Sequence, residues 1–485
     1  MRSIKLNIQY KATMADRNIP FITYLLNSLS VGFNMFLDVI PFSITFILVL
    51  QKEDQLLMPT INLTMTFFVF AFGYLVGIQE AIGLRCSIFF GQKNPAKFSQ
   101  SFYRFVFINF TLVCVSVMIT VFNRVPLSLL GLDKELTANI NILLWKMLPA
   151  KIIENSSNLM KGLLISQKTF KPFVKINLTS LIVFSILDVL LIYFLDMELL
   201  GFLIAYYIKI GLDFCLLYLT IKEHVASEYI TLPGWQSIFQ NFGSEFKYTA
   251  FISLSQYGEW ISVELYTVFA ALTGKIENII AWGINLNMSQ YCFFCLIGMS
   301  SCLRTYASIE LGKRNVDEMF GVISSCIKNG MIFVSILFLI IMFGTSYIIR
   351  IYTNDDKVLR ILEVTFRAYG FVLLVDFFLI QLSTLLRMIR KEHIQFLVDT
   401  IVWPICSFSF GYFFSLYLEL ENLGLIISFF CTNVIATSIL YYVFKNNKNK
   451  FGEKIIAGDL SIFSDKQLEA TFHHEQSQEL VDKFI

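Results

Sequence analysis

Apolar residues run through this chain in stretches long enough to cross a membrane, separated by short polar breaks. A helix needs about 20 such residues to span the hydrocarbon core. About twelve runs of this kind follow one another, centred near Asn34, Phe72, Leu112, Ile152, Phe184, Lys209, Gly258, Phe293, Leu337, Val375, Ser407 and Ala436. The pattern predicts an all-α membrane protein. Few runs are uniformly apolar. Several carry Asn, Ser, Tyr or Lys, which suits helices lining a cavity better than helices facing only lipid. The run around Gly258 is the extreme case, because Glu259-Trp260-Ile261-Ser262-Val263-Glu264 puts two carboxylates in mid-membrane. Such a charge costs on the order of 2.5 kcal/mol or more, and by default it marks an ion or substrate pathway.

The polar breaks alternate in charge. Basic residues cluster in the amino-terminal tail (Arg2, Lys5, Lys11, Arg17) and after the second, fourth, eighth and tenth runs (for example Arg85 and Lys93, Lys168 and Lys171, Arg304 and Lys313, Arg387 and Lys391). The opposite breaks are acidic or nearly neutral, as at Lys52-Glu53-Asp54, 196–198 and 419–421; the break after the ninth run is mixed. By the positive-inside rule both termini are cytoplasmic. The basic tail is not followed by a short apolar region with a cleavage site, so no signal peptide is expected.

The two halves of the chain resemble each other. Ser87-Ile88-Phe89-Phe90-Gly91-Gln92-Lys93-Asn94 matches Ser308-Ile309-Glu310-Leu311-Gly312-Lys313-Arg314-Asn315. Leu195-Asp196-Met197-Glu198-Leu199-Leu200-Gly201 matches Leu418-Glu419-Leu420-Glu421-Asn422-Leu423-Gly424 at nearly the same separation. A repeat of about six helices keeps the same membrane orientation, so the halves should be related by a pseudo-two-fold axis along the membrane normal. The expected organisation is a cytoplasmic tail (1–19), an N-terminal six-helix bundle (20–221), a cytoplasmic linker (222–245), a C-terminal six-helix bundle (246–444) and a second cytoplasmic tail (445–485).

Composition narrows the function classes. Hydrophobic residues are 56% of the chain and charged residues 15%, against roughly 45–50% and 25% in soluble domains. The net charge of +2 suggests no nucleic-acid partner. The nine cysteines are scattered. Cys292-x-x-Cys295 lacks a second pair or a nearby histidine and reads as packing, so no metal and no cofactor are expected. No zinc-protease or serine-nucleophile motif occurs, so the chain does not read as an enzyme.

The chain resembles the multidrug and toxic compound extrusion (MATE) family over about residues 20–444, in its eukaryotic form. Glu259-Trp260 and Glu264 match that family's Glu-Trp-Trp-x-x-Glu, with Ile261 in place of the second Trp. Glu310-Leu311-Gly312, Tyr352-Thr353-Asn354-Asp355, Gln167 with Pro172, Asp376, Leu187-Asp188 and Asp38 resemble further family positions. Ile88 replaces a family Gln, and Arg304 lies two residues early, so the gating contacts follow the family pattern less closely.

The resemblance implies a secondary active antiporter. It would export organic, cationic or amphiphilic compounds in exchange for protons by alternating access of two bundles. Glu259, Glu264 and Asp376 are the expected cation-coupling residues, since burial and a neighbouring carboxylate both favour the protonated acid. Glu259 and Glu264 are about 140° apart on a helix and cannot share a face. Tyr257, Trp260 and Glu264 do share one, which suits an organic cation through cation–π contact. Asp38 and Asp188 offer a second cation site, with Pro41 placed to kink the first helix. The alternatives are sodium coupling in place of protons, and a lipid or lipid-linked flippase, which would want a basic cavity. The expected setting is a multi-pass monomer in the bilayer of the plasma membrane or a vacuolar or endomembrane.

Overall fold

The computed structural model describes residues 19–33, 57–123, 134–313, 315–353 and 355–456. These form helical rods joined by short turns, numbered here as spans in chain order. Spans 1 to 6 are Phe21–Phe33, 57–91, Pro95–Val121, Lys134–Ser166, Lys171–Phe194 and Glu198–His224. Spans 7 to 12 are Phe242–Leu272, Ile276–Gly312, Val316–Ile348, Asp356–Met388, Glu392–Tyr417 and Glu421–Ile456. Among the described residues, nine helices are long and apolar enough to cross a membrane on those grounds alone. Spans 4 and 7 are equally long but interrupted by polar groups, including Lys151, Glu154 and Lys161 in span 4 and Ser253, Ser255 and Glu259 in span 7. The fold is all-α, with two lobes of six spans.

Burial separates central from peripheral helices. In span 10, 72% of the central window is buried, against 22% in span 9. Phe343 and Tyr347 of span 9 are among the most exposed apolar side chains, as expected of a helix that faces lipid.

The repeat is written into the backbone. Positive φ is uncommon for residues other than glycine, yet Lys168 and Arg390 both adopt it just after spans 4 and 10, and Asp196 and Glu419 just after spans 5 and 11. Those two spans also end in π-turns, Val189–Phe194 and Tyr412–Tyr417. Where spans 2 and 8 cross, Gly91 rests on the backbone of Ile309 and Gly312 on the backbone of Ile88, with no room for a side chain at either. The residues are repeat counterparts and the contact is reciprocal, as a pseudo-two-fold relation requires.

Contacts between the lobes run from one face to about mid-span. Asn27 donates to the Tyr306 hydroxyl (2.6 Å), and Arg85 pairs with Glu245 (3.0 Å). Glu80 pairs with both Arg304 (3.3 Å) and Arg387. Tyr257 donates to the Phe70 carbonyl (3.3 Å). The lobes are thus closed on the face carrying Arg85, Arg304 and Arg387. After span 6 the chain crosses that face through Ser227–Ile230 and Trp235–Phe239, held by hydrogen bonds from Tyr103 and Arg104 of span 3 to Ile230 and Ile238.

Candidate functional site

Span 7 presents two chemically different faces. Tyr257 stacks beside Phe70 and Tyr74 of span 2, with ring centroids 6.2 and 6.4 Å apart. Trp260 lies over Gly73, at the short 3-10 break that bends span 2 at Gly73–Leu75. These two aromatics therefore face the other lobe. Glu259 is two residues on from Tyr257, about 200° around the helix. It is half-buried and interacts electrostatically with Asp399 and Asp376. The Glu264 side chain lies outside the described residues, as do Asp38 and Pro41.

Asp376 sits mid-way along span 10, 4% exposed, where Asn433 of span 12 donates to its Oδ1. Asp399 belongs to span 11 and is equally buried. Ser255 of span 7 donates to its Oδ2. Gln395 lies one turn earlier on the same span, and Arg387 lies within the field of Asp399. The structure therefore brings Glu259 and Asp376 together, as expected from sequence, and adds a third carboxylate that sequence reasoning missed. The signal was present, because Asp399 interrupts the apolar run Phe396-Leu397-Val398-Asp399-Thr400-Ile401-Val402 just as Glu259 interrupts its own.

The local backbone explains how Asp399 reaches the cluster. It lies in a π-turn, Val398–Val402, just before Pro404, which cannot donate to the helix ladder. Single π-turns inside helices widen the coil, re-aim side chains and concentrate at functional sites. Span 5 has a counterpart of the later π-turn but none of this one. The place where the repeat breaks is the place that carries the extra acid.

The N-terminal lobe is organised differently. Asp188 is fully buried at the start of the span 5 π-turn. Glu154 of span 4 pairs with Lys151 (2.8 Å) and accepts from the Tyr206 hydroxyl (2.5 Å). Asp213 of span 6 pairs with Lys209 (3.1 Å) and accepts from Ser180. Asn155 donates to Asn109 (2.7 Å). Glu154 and Asp213 thus each pair with a lysine, whereas Glu259 of the C-terminal lobe is set against two further acids, Asp399 and Asp376.

The family model MatE matches the chain twice, over residues 31–190 and 252–413, and the two matches begin at the same separation as Ser87 and Ser308. The chain belongs to the MatE family. Members of this MATE family are membrane transporters and not enzymes. A Buchnera aphidicola protein described as "Probable multidrug resistance protein NorM" is 24% identical over 197 residues, 40% of this chain and 42% of that protein. The alignment thus spans about two fifths of that relative's length. Among solved structures, a eukaryotic MATE transporter, AtDTX14, superimposes with a TM-score of 0.76 at 15% identity, covering 90% of this chain and 99% of that one. The outward-facing conformation of a multidrug resistance MATE transporter of the MOP superfamily gives 0.78 at 14% identity, covering 90% and 97%. The Vibrio cholerae MATE transporter VcmN in its bent form gives 0.71 at 13% identity, covering 90% and 100%. These structures share the two-lobe fold with this MATE chain.

Proposed function

We propose that this chain is a secondary antiporter that exports organic, cationic or amphiphilic compounds in exchange for protons, by alternating access of its two bundles. The observation that carries the reading is the cluster of three interacting carboxylates, Glu259, Asp376 and Asp399, drawn from three spans of one lobe. Acids gathered away from water share protons instead of all remaining charged. An organic cation and a proton would then compete for the same negative charge. Each shifts the balance between the two conformations only through its different affinity for them, and mutual exclusion makes the exchange obligatory. Tyr257, Trp260, Phe70 and Tyr74, at the junction of the lobes, offer the aromatic faces that a desolvated cation prefers.

In this reading the closed basic face is cytoplasmic and the conformation is outward-facing. The bundles are 20–221 and 246–444, joined by 222–245, in a monomer. Glu264 and the Asp38/Asp188 pair remain part of the proposed cation chemistry. Carboxylates suit sodium as well as protons, so the test separates the two. Proteoliposomes with a preset pH gradient receive a fluorescent organic cation, with and without sodium. Proton movement coupled to the cation, and lost in Glu259→Gln and Asp376→Asn, is the expected result. Flux that requires sodium would change the ion, and no coupled flux in folded protein would overturn the reading.

A further inference from the structure

Resting on the antiport reading, we propose that Asp399 is a further coupling residue: through Gln395 and Arg387 it ties the charge state of the carboxylate cluster to the closure between the lobes at Glu80. Gln395 lies one turn before Asp399 on span 11 and accepts from Arg387 Nε with its Oε1 (2.8 Å), and Asp399 lies in the field of Arg387. Arg387 Nη1 pairs with Glu80 of span 2, in the opposite lobe. Arg304 of span 8 pairs with the other oxygen of Glu80 (3.3 Å). Arg304, Arg387 and Asp399 are buried.

Charge balance sets the direction of the coupling. Two guanidiniums, Arg304 and Arg387, face two carboxylates, Glu80 and Asp399. Within this group ionised Asp399 supplies the second negative charge against the two guanidiniums. Placing a proton on Asp399 removes that charge from the field of buried Arg387, which disfavours the closed arrangement. Opening this face to water relieves the imbalance. Protonation from the far side therefore weakens the closure, the sense that exchange requires.

Asp399 is faced by Glu259 and Ser255 of span 7, by Arg387 of span 10 and by Gln395 of its own span, and Glu259 also faces Asp376 of span 10. Span 12 contributes Asn433, through Asp376. Span 7 is pressed onto the π-turn: a Cβ at Gly258 would come within 3.0 Å of the Asp399 carbonyl oxygen and 2.9 Å of Thr400 Cγ2. A second interlobe cluster on the same face serves as a control. There Glu245 pairs with Arg85 (3.0 Å) and lies 3.9 Å from Arg390, with Tyr248 under both guanidiniums at 4.9 and 5.1 Å.

The test is hydrogen–deuterium exchange in nanodiscs, corrected for intrinsic rates, at residues 88–94 and 309–315, where Gly91 and Gly312 cross. Acidification of wild type is expected to lower protection there by about tenfold. Asp399→Asn should show the low protection at every pH, without a response. Gln395→Leu, which leaves all charges in place, should shrink the response and decides the matter if Asp399→Asn does not fold. Glu245→Gln should lower protection yet keep the response. A wild-type response in both Asp399→Asn and Gln395→Leu would overturn the link and leave the antiport reading standing. A wild type with neither a pH response nor cation-coupled proton flux would overturn both.

Discussion

The two lobes place an acid at the same point and surround it with opposite electrostatics. The turns at Lys168 and Arg390 set spans 4 and 10 in register, and in that register Glu154 lies opposite Asp376. Glu154 is held by Lys151 and Tyr206, and Lys209 adds to its field. Asp376 has the neutral Asn433 and the carboxylate of Glu259. The position of Lys151 is taken by Leu373 in the C-terminal lobe. Half-buried Glu154, locked to a cation, is held in one geometry and one charge state. A carboxylate set against other acids can trade its charge for a proton. A shared backbone therefore leaves the chemistry open, and the proposed coupling rests on Glu259, Asp376 and Asp399, whose described contacts include no lysine.

Five sets of substitutions test that contrast and the repeat behind it. The largest effect is expected from Glu259→Gln combined with Asp376→Asn, which should bring cation-coupled proton flux in proteoliposomes to background without loss of folded protein. Next is Lys209→Met, which strands Asp213 in a buried site and should lower stability by about 3 kcal/mol, read as a fall in the thermal inactivation midpoint. Adding Asp213→Leu should recover most of the loss. Asp376→Asn alone should move that midpoint the other way, upward, because it removes repulsion and keeps a partner for Asn433. Gly91→Ala and Gly312→Ala should each cost about 1–3 kcal/mol through overpacking. They should do so about equally, since each glycine meets the counterpart of the other's neighbour. The smallest effect belongs to Lys275→Met. Its ion pair with Glu421 is at the surface, where such pairs are worth little, and transport should match wild type at both low and high salt.

The spans, their repeat and the acids Glu259 and Asp376 were legible in the sequence because each violates or obeys a simple hydrophobic pattern. Asp399 obeyed the same logic but fell near the start of its run, away from the centre at Ser407. A π-turn has no periodic signature to draw attention to it. That Tyr257, Trp260 and Glu264 share a face follows from helical spacing alone. That this face meets span 2, with Glu259 turned to spans 10 and 11, depends on tertiary packing. The pairing of Lys151 with Glu154 is local, three residues apart. The Glu80–Arg387–Gln395 connection joins positions far apart in the chain and has no local sign.

The account stands most directly on where the exchangeable proton resides. Proton release from detergent-solubilised protein, followed with a pH indicator as an organic cation such as tetraphenylphosphonium is added, would locate it. Wild type and Glu154→Gln should both release protons, and Glu259→Gln and Asp376→Asn should release few or none. Release that persists in the two C-terminal-lobe variants but disappears in Glu154→Gln would contradict this assignment and move the coupling site to Glu154 in the N-terminal lobe.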